Sequence, residues 1–274
     1  MADGPERSAA EVTVERPTSR VAVVTYTNPA IRNHLSWEAA EAIAAGLAEA
    51  REGGAHVAVL ASGHPEHWIQ HAWLPDIIAL ATDAPQSGSG GGVFSAVKEI
   101  TRPELITIAA IDGDTAGGGL ELGWACDLRV AGAAARFAQI EVQLDLTTGL
   151  GGTSRLMRLI GITAVSAMVL DGRPVTAARM HELGAINRLV PAGTARDVAV
   201  MWATEIAGRS PDALRATKQI LRESQDLSLH DALRNEQAIF QTVMPGALDR
   251  MREVQARFDA GESLREVYGD PNSD

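Results

Sequence analysis

The stretch whose reading decides the fold runs from Ile106 to Arg155, ITIAAIDGDTAGGGLELGWACDLRVAGAAARFAQIEVQLDLTTGLGGTSR. Its opening run, Ile106 to Ile111, is the short, β-branched, apolar pattern of a buried strand. Gly117, Gly118 and Gly119 then open a helix expected over Leu120 to Cys126. Helix N-termini carry unpaired N–H groups and the positive end of the helix dipole, and glycine lets a ligand approach that backbone closely. Such donors suit a developing oxyanion. Glu121 is expected in the first turn of this helix, where a carboxylate also serves simply to offset the dipole.

The second half of the stretch adds another carboxylate. Glu141 ends a run, Ala135 to Val142, that reads as a half-buried strand or turn. It precedes Gly149-Leu150-Gly151-Gly152-Thr153, a second glycine-rich turn into a helix expected to begin near Ser154. Two carboxylates beside two glycine-rich helix entries supply what addition of water or a proton shift next to a carbonyl requires, one group to handle water and one to handle carbon. The plainer reading of Glu141 is a surface glutamate in an ordinary loop.

The ordered series of motifs extends beyond this stretch. Asp112-Gly113-x-x-x-Gly117-Gly118-Gly119-x-Glu121-Leu122 leads to Ala125-Cys126-Asp127-Leu128-Arg129-Val130-Ala131, then Phe137-x-Gln139-x-Glu141, then Gly149-x-Gly151-Gly152-Thr153-x-Arg155-Leu156. Upstream lies Asn28-Pro29-Ala30-Ile31-Arg32-Asn33-His34-Leu35-Ser36. Downstream lie Leu170-Asp171-Gly172-Arg173-Pro174, Val190-Pro191 and Ser210-Pro211. Over roughly residues 11 to 260 the chain resembles the enoyl-CoA hydratase/isomerase (crotonase) family. The resemblance implies an α/β fold, a spiral of β-β-α units with a C-terminal helical trimerisation region, in homotrimers that pair into hexamers. It also implies an acyl-CoA substrate, with coenzyme A part of that substrate and no tightly bound cofactor.

Carried over residue by residue, the resemblance places Glu121 and Glu141 at the catalytic carboxylates of the hydratases, and the backbone N–H groups of His71 and Gly118 at the oxyanion hole. The implied activity is hydration of a 2-enoyl-CoA thioester. The alternatives are an isomerase or a C–C or thioester hydrolase of the same family that recruits His71 or Asp145, and a noncatalytic acyl-CoA-binding member. Arg32 is the candidate for a CoA phosphate contact, and His34, Ile69, Trp73 and Gly117 are candidates for the CoA and acyl pocket. Trp68 and Trp73 are expected to pack along its wall.

This chain departs from the family pattern in the oxyanion loop, which reads His67-Trp68-Ile69-Gln70-His71-Ala72-Trp73-Leu74. Gln70 stands where the family has glycine and Ala72 where it has an acid. A backbone donor tolerates a varied side chain, but a non-glycine residue restricts the backbone angles available. Asp145 stands at a position usually glycine and Thr148, just before Gly149, at one often proline; Asp145 is either a third functional acid or a loop cap bonded to its own turn. His64, His67 and His71 have helical spacing, yet Pro65 argues for a loop and no partner Cys or paired Asp sits nearby, so no metal site is expected.

Composition fits a cytoplasmic enzyme with no membrane partner. The 274 residues are 46% hydrophobic, the N-terminus is charged rather than signal-like, and no apolar stretch of membrane length was read from the sequence. The net charge of −11 argues against a nucleic-acid partner. The single cysteine, Cys126, reads as a buried structural thiol. Along the chain, residues 1–10 are expected to be disordered, 11–191 to form the core, 192–262 a helical oligomerisation region and 263–274 an acidic tail. A hairpin is expected around Pro17-Thr18-Ser19, a Ser36-capped helix from Trp37 to Glu52, and a mobile lid at Gln86–Gly92, QSGSGGG.

Overall fold

Alternating and apolar runs at the start of the chain close into the expected hairpin, with β1 (Glu11–Thr18) antiparallel to β2 (Val21–Thr27). The computed structural model describes residues 10–85, 88 and 92–269. All of the segment expected to be disordered except Ala10, and all of the expected lid except Gly88 and Gly92, therefore lie outside the described residues. After β3 (His34–Leu35) comes α1 (Trp37–Glu52), whose cap is Ser36, its side chain accepting from the Ala39 N–H. The chain continues through β4 (Val57–Ser62), β5 (Gln70–Ala72), α2 (Leu74–Ala81), α3 (Gly92–Ile100), β6 (Ile106–Ile111), β7 (Thr115–Ala116) and α4 (Gly117–Ala125). There follow β8 (Leu128–Gly132), β9 (Arg136–Ala138), a 3₁₀ turn at Glu141–Leu144, α5 (Gly152–Asp171), β10 (Val175–Thr176), α6 (Ala177–Glu182), β11 (Arg188–Val190) and α7 (Ala195–Ala207).

The main sheet has six strands in the order β1-β2-β4-β6-β8-β11, parallel from β2 onward. Parallel strands need crossovers, and each crossover here carries a short strand and then a helix. The units β2-β3-α1, β4-β5-α2-α3, β6-β7-α4 and β8-β9-α5 repeat the same β-β-α turn. The short strands pair among themselves, β3 with β5 and β10-β9-β7 in a separate sheet. This is the spiral that the resemblance implied. Its repeat is one of topology, with little residue similarity between turns, and so it is invisible in the sequence.

Burial follows the layers. All six residues of β6 are buried, as a strand covered on both faces should be. Ile43 and Leu47 bury the inner face of α1. Ala195, Ala199, Ala203 and Ala207 form a small-residue stripe at helical spacing on α7, which packs on β2, β4, β6 and β8. With α7 on the sheet, the first compact unit runs to Pro211 rather than ending near 191. The second unit, Asp212–Asp274, holds α8 (Pro211–Glu223), α9 (Leu229–Val243), α10 (Leu248–Asp259) and α11 (Leu264–Tyr268). The last of these, closed by a Ser263/Glu266 capping box, was not foreseen in the acidic tail.

One reading needs correction. Gly152–Asp171 has 20 residues and a mean hydropathy of 1.3, so by length and composition it passes as a membrane span. Its backbone, however, breaks at Gly161 (φ 78°, ψ 159°), and neither half approaches the roughly 20 residues a span requires.

The spiral is tightest where α4 meets β5. A Cβ on Gly119 would stand 2.2 Å from the Gln70 carbonyl oxygen and 2.4 Å from that of Ile69, so only glycine admits this approach. Gly119→Ala is expected to destabilise the protein by about 3 kcal/mol through overpacking. Gly246→Ala, where a Cβ meets nothing within 4 Å, should change little; denaturant unfolding of both variants checks the contrast.

Candidate active site

A cavity of about 320 Å³ lies at the N-terminus of α4, bounded also by α2, α3 and the Glu141–Leu144 turn. Gly117, Gly118, His71, Glu121, Glu141 and Gly149 all line it. The sequence reading of the glycine-rich segment thus names residues that the fold does bring together.

Glu121 sits differently from expectation. The helix α4 begins at Gly117, not Leu120, so Glu121 belongs to its second turn and not to the first. The three glycines are themselves helical, which moves the helix start upstream. The carboxylate is 3% exposed and finds its partners in a distant loop. Its Oε1 accepts the Leu150 N–H at 2.9 Å and the Gly152 N–H at 2.5 Å. Gly151 between them has φ 108°, a left-handed conformation that suits glycine and turns the N–H groups on either side toward one acceptor. Burial pushes the Glu121 pKa up, while these N–H groups and the Arg155 guanidinium pull it back.

Glu141 opens the 3₁₀ turn and is half-buried. The Gln139 amide nitrogen donates to both of its carboxylate oxygens, at 3.1 and 3.3 Å, and the Gln139 amide oxygen accepts from the Trp124 indole N–H at 3.1 Å. Burial raises the Glu141 pKa and the negative charge of Glu121 raises it further, against its own backbone N–H and the Gln139 amide. Two carboxylates at one cavity disfavour double ionisation. The ionised form of Glu121 is favoured by two N–H donors and the Arg155 guanidinium, and that of Glu141 by its own backbone N–H and the Gln139 amide, in both cases against burial.

Gln139 is the positioning residue that the sequence reading missed. Phe137, Gln139 and Glu141 alternate at a strand's period of two, and Phe137 and Gln139 are both fully buried. A buried amide two residues before an acid was the available signal.

The donors for an anion come from two elements. In β5 the Gln70 N–H bonds to the Asn33 carbonyl at 2.9 Å, and the Trp73 N–H just beyond bonds to that of Leu35 at 2.8 Å. The β3–β5 register shifts between these bonds, His34 pairing with Gln70 and Leu35 with Ala72, so His71 stands at the shift with no partner residue on β3. On the other flank of β5 lies α4, with the first N–H groups of a helix unpaired by their own turn. There the Gly117 Cβ position is 3.0 Å from the His71 Cβ and 3.3 Å from Glu141 Oε1, and that of Gly118 is 3.4 Å from the Ala72 nitrogen.

Other named residues fall elsewhere. Asp145 is exposed and does not line the cavity; it ends the 3₁₀ turn at φ 57° with its N–H toward the Glu141 and Val142 carbonyls. Ile69 and Trp68 are fully buried in the core, and Trp73 is the N-cap of α2. Arg32 holds a left-handed φ of 51°, its guanidinium 3.4 Å from His67 Nε2. Neither Arg32, His34, Ile69, Trp68 nor Trp73 lines the cavity. The reason is local: after β5 the chain enters α2 at once, and helical spacing presents Leu74, Ile77 and Leu80 to the cavity instead, facing Val93 and Phe94 of α3. His64 stacks on His67 at 4.7 Å while His71 turns to His34, and among the described residues no three potential ligands converge on a metal.

Comparison with known proteins gives the family. The profile described as enoyl-CoA hydratase/isomerase matches residues 16–257, and the chain belongs to that family. It is 30% identical over 237 residues to the 2,3-dehydroadipyl-CoA hydratase of Escherichia coli K12, covering 86% of this chain and 91% of the relative. It is 29% identical to the short-chain-enoyl-CoA hydratase of Clostridium acetobutylicum, covering 81% and 85%. Among solved structures, an enoyl-CoA hydratase from Polaromonas sp. JS666 superposes with a TM-score of 0.81 at 26% identity, over 93% of this chain and 98% of that one.

The Gln139 bridge yields a test. Gln139→Leu leaves the Trp124 N–H without its acceptor, at a cost of about 1–3 kcal/mol, and removes a donor that holds the Glu141 pKa down. Denaturant unfolding should show the loss of stability, and a ¹³C-carboxyl NMR titration should show Glu141 binding its proton more tightly than in the parent protein.

Proposed function

We propose that this chain is an enoyl-CoA hydratase that adds water across the 2,3 double bond of a CoA thioester with an apolar acyl chain. The observation that carries this reading is the pair Glu121 and Glu141 on one cavity, each oriented by its own buried donors, beside the N-terminal glycines of α4. Water gives a proton to the Glu121 carboxylate and its oxygen bonds to the β-carbon. The electron pair of the double bond moves toward the thioester oxygen, held as an enolate by the His71 and Gly118 N–H groups. Glu141 then protonates the α-carbon and the carbonyl re-forms. Proton exchange from Glu121 back to Glu141 restores the pair. One well-placed oxyanion donor is worth roughly 3 kcal/mol in the transition state.

The apolar wall supports the choice of acyl group. Trp37, Leu74, Ile77, Val93, Phe94 and Leu144 line the cavity, and among the described residues no Lys or Arg does. A second carboxylate on the acyl chain would be desolvated there without a partner. A trimeric or hexameric assembly and a cytoplasmic location belong to the same proposal; exposed apolar side chains such as Leu229, Leu233 and Phe240 on α9 support the assembly. Coenzyme A enters as part of the substrate. The reading that recruits Asp145 has less support, since that residue lies off the cavity.

Loss of the conjugated enoyl-thioester absorbance tests the reaction. The wild type should hydrate short and medium 2-enoyl-CoAs, and Glu121→Gln and Glu141→Gln should each lower kcat by about 10²–10⁴; unchanged rates in both variants would refute the reading. On the same panel, kcat/KM for 2,3-dehydroadipyl-CoA should fall well below that for an apolar acyl group of equal length. The pH profile of kcat/KM should be bell-shaped. Activity falls on the acid side as Glu121 takes up a proton, at a pH above the usual carboxylate range because its pKa is raised. It falls on the basic side as Glu141 loses one.

A further inference from the structure

His71 is bonded to the cavity wall through its backbone, yet its ring makes an arrangement that the hydration chemistry above does not use. The ring Nε2 lies 3.0 Å from Nε2 of His34, with the planes at 66° and the centroids 4.2 Å apart. Each ring presents its other nitrogen to a main-chain carbonyl. His34 Nδ1 is 2.5 Å from the Ile31 oxygen, and His71 Nδ1 is 2.8 Å from the Ala72 oxygen. A carbonyl oxygen only accepts, so both Nδ1 atoms carry protons.

The remaining contact then has a fixed proton count. If both rings were neutral, each Nε2 would carry a lone pair, and two lone pairs would face one another at 3.0 Å. If both were imidazolium, two N–H groups and two positive charges would face. One proton between them satisfies the contact, and with both Nδ1 atoms already protonated that proton makes the pair a monocation. The alternative neutral tautomer would move a proton from Nδ1 to Nε2 of one ring and aim a lone pair at a carbonyl oxygen. The hydrogen-bond inventory is complete only with the extra proton.

The setting bears on where that charge acts. His71 lines the cavity, and its Cβ is 3.0 Å from the Cβ position of Gly117, in the helix entry that supplies the Gly118 donor. Charged and titratable groups approach the pair from several sides. Arg32 comes from the turn before β3 and His67 from the loop before β5. The Tyr26 hydroxyl of β2 donates to the His34 carbonyl at 2.7 Å. On the helical side, Glu121 lines the same cavity as His71, and Glu141 Oε1 is 3.3 Å from the Gly117 Cβ position. Burial lowers the His34 pKa against the Ile31 carbonyl bond, and nearby His67 and Arg32 lower it further, so His34 gives up its proton more readily than a free imidazolium.

We propose that His34 and His71 act as a single proton-holding dyad whose shared proton sets one positive charge against the cavity wall beside the oxyanion donors. The dyad is an electrostatic positioning unit: with the proton bound, it favours the build-up of negative charge on the thioester oxygen. This function rests on the hydratase reading, whereas the proton count of the pair does not.

The experiment has two arms. The first is ¹⁵N-histidine NMR of the unliganded full chain between pH 5 and 8, with the two rings assigned through bonds from the backbone. Both rings should keep Nδ1–H throughout and lose a single Nε2 proton in one shared transition. Independent titrations, or an ordinary Nε2–H neutral form in either ring, would overturn the dyad. The second arm measures hydration against pH for wild type and His34→Asn, with His34→Gln as a second variant and amide dispersion as the check on folding. In the wild type, uptake of the dyad proton should raise kcat above the level that the Glu141 limb alone sets. In the variants that extra rise should vanish, with a loss of about tenfold carried by kcat rather than KM, while the basic-side fall assigned to Glu141 remains. A kcat profile of unchanged height and shape without His34 would overturn the electrostatic role. Should the wild type hydrate no 2-enoyl-CoA, the hydratase reading and with it the catalytic role fall, and the NMR arm alone decides whether the dyad exists.

Discussion

An ionised carboxylate taken out of water costs several kcal/mol unless donors meet its oxygens, and Glu121 is 3% exposed. Its donors are the N–H groups of Leu150 and Gly152, far along the chain, so the glycine-rich turn and the start of α5 must be carried to α4. Gly151 at φ 108° brings the two N–H groups onto one oxygen. On the opposite side, Gly119 lets α4 press onto the Ile69 and Gln70 carbonyls, which seats His71 against Gly117. Gln139 completes the frame by linking Trp124 of α4 to Glu141. Remove the buried charge and each of these approaches loses its reason.

The cavity divides its labour between a polar floor and an apolar wall. Floor groups are held by backbone donors and buried amides, which need no reorganisation when charge develops. The wall, from Trp37, α2 and α3, excludes water and lowers the local dielectric, so the same donors act more strongly than they would in solution. On the proposed hydratase reading, it also leaves the acyl group to be recognised by shape and apolar contact.

Much of this was legible in the residues, and what was not has physical causes. The β6 strand and the Ser36 cap of α1 rest on local rules of periodicity and capping and appear where those rules put them, and Glu121 and Glu141 do line one cavity beside the glycines of α4. The start of α4 was misplaced because three glycines read as a loop, while packing against β5 makes them helical. Pocket walls were misassigned because Ile69 and Trp73 look like a loop lining until α2 begins immediately after β5 and substitutes Leu74 and Ile77. The role of Leu150 and Gly152 is carried by their main chain, which no side-chain pattern reveals. The α7 helix resembled the helices after it, and only its alanine stripe, read against a sheet, shows where it packs.

The order of the main sheet, β1-β2-β4-β6-β8-β11, rises without interruption along the chain. Many parallel sheets are wound outward from the middle, so that a late strand must find an edge left vacant long before. In this one, every strand finds its partner in the strand that was laid down last on the same edge. Synthesis from the N-terminus can therefore extend the sheet in one direction, beginning from a local hairpin that costs little loop entropy to close. At each stage the sheet grows at one edge only, while the other edge stays at β1.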